Sequence, residues 1–187
     1  PVWVRCNLNL ASKEEILAAL KKQQVSAEQV EGFDSMLALS EYDHMESLDA
    51  FQKGWIQVQD ISSALVGELA APEKGSYIID VCAAPGGKSL HLADKMEGTG
   101  CVEARDLTYQ KVALIEENAS RMGALNIKAV QWDATEFDPE SENKADLVIA
   151  DRPCSGLGII GRKPDIKYHT TKENLRELSK LQKEILS

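Results

Sequence analysis

Residues 80–90 read Asp-Val-Cys-Ala-Ala-Pro-Gly-Gly-Lys-Ser-Leu, between an apolar run, Tyr77-Ile78-Ile79, and a helical pattern over 89–96. Small side chains and a glycine pair let a ligand come close to the backbone. The helix start that follows offers unpaired N–H groups to a polar or anionic group. A strand, a small-residue loop and a helix in this order predict ligand binding at the carboxyl end of a first parallel strand. The loop is neither G-x-G-x-x-G nor G-x-x-x-x-G-K-[ST], so nicotinamide redox chemistry and nucleotide hydrolysis are disfavoured.

Four carboxylates share that setting. Asp80, Asp106, Asp133 and Asp151 stand at the ends of four successive strand-like runs, and in a parallel sheet such ends lie along one edge. Asp106 lies about 20 residues past the glycine loop, where a carboxylate accepts ribose hydroxyls; capping the next helix is the other role open to it. Asp133 can face an adenine amine or serve as an ordinary loop carboxylate, and Trp132 beside it can stack on the base or simply pack. The second chemical signal is Asp151-Arg152-Pro153-Cys154-Ser155-Gly156. Pro153 restricts Arg152 to an extended conformation, and Gly156 and Gly158 permit a sharp loop. Cys154 is thereby held at the ligand edge beside a carboxylate, as a reactive thiol or as a buried structural one.

These residues need a scaffold, and the pattern supplies one. Residues 1–54 read as a small α+β unit. It has a strand over 2–4 and a helix capped by Ser12 with Glu15 at the capping-box position. A second strand is expected over 33–39. Residues 55–187 read as the ligand-binding core, opening with a short strand over 55–58 and a helix from Gln59-Asp60-Ile61-Ser62-Ser63 to about Ala70. Strands are then expected over 76–81, 100–104, 127–131 and 145–150, with a helix over 108–122 and an amphipathic helix over 175–187. Alternating strands and helices predict a doubly wound α/β sheet, and the apolar last run predicts a central parallel strand.

The 187 residues carry a net charge of −9 and 43% hydrophobic residues, which is globular composition. No apolar run is long enough to span a membrane. Cys6, Cys82, Cys101 and Cys154 form no Cys-x-x-Cys pair and only three histidines accompany them, so no metal site is expected. Reduced thiols in the cytoplasm are the default expectation. The opening Pro1-Val2-Trp3-Val4 is neither a Met start nor a signal peptide and reads as the start of a fragment. The acidic charge argues against a nucleic-acid partner. Residues 151–187, however, hold eight Lys/Arg against five Asp/Glu, so an RNA-facing surface is placed there or outside this chain, with a solvated helix face as the alternative.

In order and spacing, residues 80–90, Asp106 in Ala-Arg-Asp, Asp133 and Asp-x-Pro-Cys-Ser-Gly at 151–156 resemble the RNA cytosine-5 methyltransferases of the Fmu/Sun (NOL/NOP/Sun) family. Residues 59–63, 118–123 and 162–167 extend the likeness, and Arg5-Cys6-Asn7 is similar to the family's Arg-x-Asn entry motif. The resemblance implies a Rossmann-like class I methyltransferase sheet of seven strands. Only four core strands are legible, so the C-terminal strands are expected to be absent from this chain. It implies that S-adenosylmethionine is held by Cys82, Ala83, Ala84, Pro85, Gly86, Gly87, Lys88, Asp106, Asp133 and Asp151. It further implies that Asp151 and Cys154 serve catalysis, that the partner is RNA, most of all small-subunit ribosomal RNA, and that the N-terminal unit is a candidate RNA contact. In the RNA family a cysteine in a later motif attacks the base and the Pro-Cys cysteine assists product release; no cysteine follows Cys154 here, so this chain is expected to lack the attacking thiol. A catalytically silent cofactor- or RNA-binding module and a transfer RNA cytosine-5 methyltransferase are the competing readings. Three positions depart from the family pattern: Arg152 replaces a small or apolar residue, Lys111 an arginine and Trp132 a glycine. Arg152 is expected to lie beside Asp151, lowering its pKa or obstructing the base pocket. Gly86→Val is expected to block the cofactor while sparing the fold.

Overall fold

The computed structural model describes residues 1–161 and 164–187. Arg162 and Lys163, which open one of the family-like stretches, lie outside the described residues. The N-terminal sheet has four strands, β1 (Val2–Cys6), β2 (Ser26–Gln29), β3 (Met36–Ser40) and β4 (Ile56–Val58), in the order β2-β3-β1-β4. All its pairings are antiparallel. Helix α1 (Lys13–Lys22) begins where expected: the Ser12 hydroxyl accepts from the Glu15 amide and the Glu15 carboxylate accepts from the Ser12 amide, which satisfies two otherwise orphaned donors. Its Ile16 and Leu20 pack with Val4, Leu37, Leu39 and Ile56 into one apolar core. A short helix, α2 (Asp49–Gln52), leads into β4.

Two of these strands differ from expectation. β2 has the polar sequence Ser-Ala-Glu-Gln and is half-exposed; it exists because β3 offers a free edge, a long-range cause that local pattern does not carry. β4 was expected to open the ligand-binding core, but Val4 pairs with Val58 and Cys6 with Ile56, which carries the N-terminal sheet past residue 54.

The second sheet is parallel. β5 (Tyr77–Asp80), β6 (Cys101–Asp106), β7 (Ile127–Gln131) and β8 (Leu147–Ile149) lie in the order β7-β6-β5-β8. Helices α3 (Ile61–Ala70), α4 (Gly87–Lys95) and α5 (Tyr109–Arg121) flank it. Ile78, Leu92, Met96 and Val102 form one core cluster, and Ala83, Ala104 and Ile115 another under the loop. The chain runs outward from β5 through β6 to β7, then crosses back to place β8 on the other side of β5. That reversal makes the carboxyl ends of β5 and β8 a topological switch point. Among the described strands β8 pairs only with β5, and Val148 is 55% exposed; the expected central strand is thus uncovered on one side. Two further helices close the chain, α6 (Ile166–His169) and α7 (Lys172–Leu186), the latter capped by the Thr171 hydroxyl. Among the described residues no helix is long and apolar enough to cross a membrane.

The two sheets are joined by specific contacts. The Arg121 guanidinium donates to the Phe51 and Ile56 carbonyls at 2.9 and 3.1 Å and lies 3.9 Å over the Phe51 ring. Gly54 permits this approach, because a Cβ there would sit 2.1 Å from the Arg121 carbonyl oxygen. The Asn7 side chain donates to the Met122 carbonyl at 3.2 Å. Arg5, 1% exposed, pairs with Asp94 and donates to Gln59. The Arg-x-Asn entry motif therefore builds the seam between the two sheets.

Candidate cofactor and base site

The loop after β5 continues the ladders on both sides. The Val81 amide donates to the Ile149 carbonyl at 3.0 Å and the Ala83 amide to the Arg105 carbonyl at 2.9 Å. The Ala84–Pro85 peptide is cis and Gly86 has φ of +101°. That dihedral is left-handed, so a side chain at Gly86 strains the backbone whatever space surrounds it. Gly86→Val therefore perturbs the loop itself and is not the fold-neutral block expected from sequence. Gly87 differs: a Cβ there meets nothing within 4 Å, which leaves the start of α4 open to a ligand.

Asp106, at the end of β6 and 4% exposed, pins this loop. Its Oδ2 accepts from the Ala84 amide at 2.9 Å, its Oδ1 accepts from the Leu107 amide at 2.8 Å, and Lys111 Nζ lies 3.0 Å from Oδ1. Thr108, not Asp106, stands at the N-cap position of α5, without a side-chain capping bond, so capping is not the role of Asp106. Asn118 of α5 donates to the Pro85 carbonyl at 3.0 Å, which gives the 118–123 stretch a local reason: it holds the loop and, through Arg121, the N-terminal sheet.

Asp80 sits beneath the loop. The Ser89 hydroxyl donates to its Oδ2 at 2.7 Å, while Oδ1 is buried without a hydrogen-bond partner. Burial pushes the Asp80 carboxyl up to about 6, against the lowering effect of Ser89 and Lys88. Burial also raises the Cys82 thiol, as do the nearby Asp106 and Asp80 charges. Asp133, past β7, folds onto its own turn: Oδ1 accepts from the Thr135 amide and hydroxyl at 2.9 and 2.7 Å, which lowers its pKa. Trp132 donates from Nε1 to the Glu136 carbonyl at 3.1 Å, with the Arg105 guanidinium 5.3 Å from its ring centre. Arg105 is held in turn by Glu103 and Asp138, each at 2.7 Å.

At the end of β8 the geometry departs from expectation. The cation paired with Asp151 is Lys88, whose Nζ donates to Oδ2 at 2.7 Å. Arg152 instead reaches α7, donating from Nη1 to the Gln182 carbonyl at 2.9 Å. Cys154 is exposed, so it is not a buried structural thiol.

One cavity of about 330 Å³ gathers most of the expected residues. Cys82, Ala84, Asp106 and Asp133 line it together with Lys111 and Trp132, as do Asp151, Arg152, Pro153 and Cys154, with Leu181 and Ile185 of α7. Ala83, Pro85, Gly86 and Gly87 shape the loop without lining this cavity, and Lys88 joins through Asp151. Sequence reasoning missed the α7 wall and the Lys88–Asp151 pair. The apolar stripe of the terminal helix signalled that α7 packs on something; nothing local signalled what.

A parallel sheet with this strand order, a small-residue loop at its switch point and carboxylates at successive strand ends define a Rossmann-like α/β protein with a ligand site at the carboxyl edge of its sheet. The chain belongs to the 16S rRNA methyltransferase RsmB/F family, whose model matches residues 68–187. It is 35% identical over 189 aligned residues to the ribosomal RNA small subunit methyltransferase B of Proteus mirabilis, a match covering 100% of this chain and 44% of the relative. The chain thus spans less than half the length of that relative. The crystal structure of PH0851 superposes with a TM-score of 0.93 at 31% identity, covering 99% of this chain and 42% of that one. NSun6 from Pyrococcus horikoshii, solved with SFG, shares the fold with a TM-score of 0.88 at 20% identity over 99% of this chain and 70% of that one.

Proposed function

We propose that this chain is the cofactor-binding and base-binding part of an enzyme that methylates carbon 5 of a cytosine in RNA, with small-subunit ribosomal RNA as the target class. The observation that carries this reading is that one cavity is lined by Cys82, Asp106 and Asp133 together with Asp151 and Cys154. S-adenosylmethionine fits the residues present. The start of α4 is open at Gly87, and carboxylate oxygens accept more than one hydrogen bond, so Asp106 retains capacity for ribose hydroxyls while pinning Ala84. Asp133 would accept from the adenine amine, with Trp132 beside it. The cofactor supplies an electrophilic sulfonium methyl group.

Carbon 5 of cytosine is a poor nucleophile until a thiol adds at carbon 6. Asp151 holds the pyrimidine ring and assists protonation at its ring nitrogen. Lys88 keeps that carboxylate oriented. Cys154 is the exposed thiol at this edge; Cys6 is buried, with its pKa pushed up to about 11. The family resemblance assigns attack to a cysteine of a later motif, and no cysteine follows Cys154 in this sequence. Cys154 is then the assisting thiol, and this chain alone binds cofactor while transferring little methyl.

The test is calorimetric titration of the purified chain with S-adenosylmethionine, followed by methyl transfer into a ribosomal RNA transcript. Binding with little transfer is expected. Robust transfer lost on Cys154→Ala would make Cys154 the attacking thiol and overturn the division of labour. Absence of binding would overturn the cofactor assignment.

A further inference from the structure

The segment bearing Cys154 is fastened to α7 by two hydrogen bonds that converge on one residue. Gln182 Nε2 donates to the Pro153 carbonyl at 2.7 Å, and Arg152 Nη1 donates to the Gln182 backbone carbonyl at 2.9 Å. The Pro153 carbonyl belongs to the peptide bond that joins Pro153 to Cys154, so the first bond fixes the plane from which the cysteine projects. The second uses the carboxyl half of a helix, whose carbonyls attract a cation. Leu181 and Ile185, on either side of Gln182 in α7, face the same cavity as Asp151 and Cys154. Arg152 thereby acquires a reason for departing from the small or apolar residue of the family pattern: here the side chain is a strut to α7.

We propose that Gln182 is a positioning residue for Cys154, with Arg152 as the second arm of the same latch. The latch holds the Pro153–Cys154 turn against α7 so that the thiol is presented at the cavity mouth at a fixed angle. Its part in methyl transfer rests on the reading of Cys154 as the assisting thiol. The latch itself does not.

The two arms are chemically separable. Gln182→Ala removes the side-chain donor but keeps the backbone carbonyl that Arg152 uses, and alanine suits a helix. Gln182→Glu keeps the length but has no proton to donate near neutral pH. Gln182→Lys returns a donor at the end of an unbranched chain. Arg152→Ala removes the other arm alone. The readout is the iodoacetamide labelling rate of Cys154, followed by mass spectrometry in the whole chain, with Cys82 and Cys101 as internal references and S-adenosylmethionine affinity measured in parallel.

Losing one net hydrogen bond frees the turn by about three- to tenfold. Gln182→Ala, Gln182→Glu and Arg152→Ala are each expected to raise Cys154 labelling by that factor, the alanine pair together by more. Labelling of Cys82 and Cys101 should stay unchanged in every variant, cofactor affinity should stay unchanged in the Gln182 variants, and Gln182→Lys should restore the slow rate. An unchanged Cys154 rate in Gln182→Ala, or a rise shared by Cys82 and Cys101, would overturn the proposal. If the starting chain binds no cofactor while the labelling pattern holds, the function proposed above fails and the latch stands.

Discussion

Replacing Asp106 by alanine removes more than a ligand group. Its two oxygens accept from the Ala84 and Leu107 amides at 2.9 and 2.8 Å, in a side chain that is 5% exposed. A buried donor left without an acceptor costs about 1–3 kcal/mol. The part-buried Ala84 amide carries more of that cost, whereas Leu107 is exposed at the surface and its amide recovers part of the loss from water. The Lys111 ion pair adds little, because that lysine is half-exposed and solvent screens it. The expected loss is about 2–4 kcal/mol, which in a chain of this size lowers Tm by roughly 5–15 °C. Asp106→Asn keeps one acceptor oxygen and should lie between the two. Thermal and urea unfolding by circular dichroism of all three proteins, with cofactor titration of each, gives the assay. The stability order should be wild type, Asn, Ala, with affinity following the same order. Asp106→Ala unfolding within about 0.5 kcal/mol of wild type would refute the pinning argument and leave any lost affinity to be read as a lost ribose contact.

Asp80 and His91 should give stability slopes of opposite sign. Burial holds the Asp80 carboxyl at about 6, so the native state keeps a proton that the unfolded state has released, and stability falls as pH rises from about 4 to 6; Asp80→Asn removes that slope, and a difference from wild type that stays constant with pH counts against it. Burial pushes His91 down to about 3, with the Arg5 and Lys95 charges adding to the effect. The unfolded state therefore binds the proton first, and the His91 contribution is lost as pH falls below about 6.5, which His91→Gln should abolish in the same urea titrations. Arg5→Met leaves the Asp94 carboxylate unpaired, a group whose pKa burial already raises, and should cost about 3–5 kcal/mol. The pair Arg5→Met, Asp94→Leu should recover most of it, and a double variant no more stable than the single one would argue against the ion pair as the cause.

Elements fixed by their own residues were legible in the chain. β7 occupies the five residues expected, an apolar-rich run that needs only β6 beside it, and α1 starts at Ser12 because Ser12 and Glu15 satisfy each other. What depended on distant partners was not legible. The 55–58 run was recognisably a strand, but whether it joins β1 or a later sheet is decided by pairing across some fifty residues, and Val4↔Val58 settled it. Lys88 was readable as part of the glycine loop, yet its aim at Asp151 follows from β8 lying beside β5. Gly86 was recognisable as a small residue near a ligand, while its φ of +101° comes from turning the chain out of the strand into α4.

The four acidic strand ends, equivalent in sequence, are made unequal by their surroundings. Asp80 is sealed under the loop and bonded to Ser89, so it supports the fold from below. Asp106 accepts a backbone amide on each oxygen and holds the loop's position. Asp133 caps its own turn through Oδ1 and has its second oxygen to offer outward. Asp151 alone is largely exposed, with a lysine as its ion-pair partner. An ion pair with so much solvent access is weak, so Lys88 can orient this carboxylate without competing strongly for it against a ligand. From sealed Asp80 on β5 the strand ends become more open on both sides, through Asp106 to Asp133 past β6 and β7 and directly to Asp151 past β8. On the function proposed above, the well-bonded carboxylates stand by the cofactor loop and the open one stands where the base would enter.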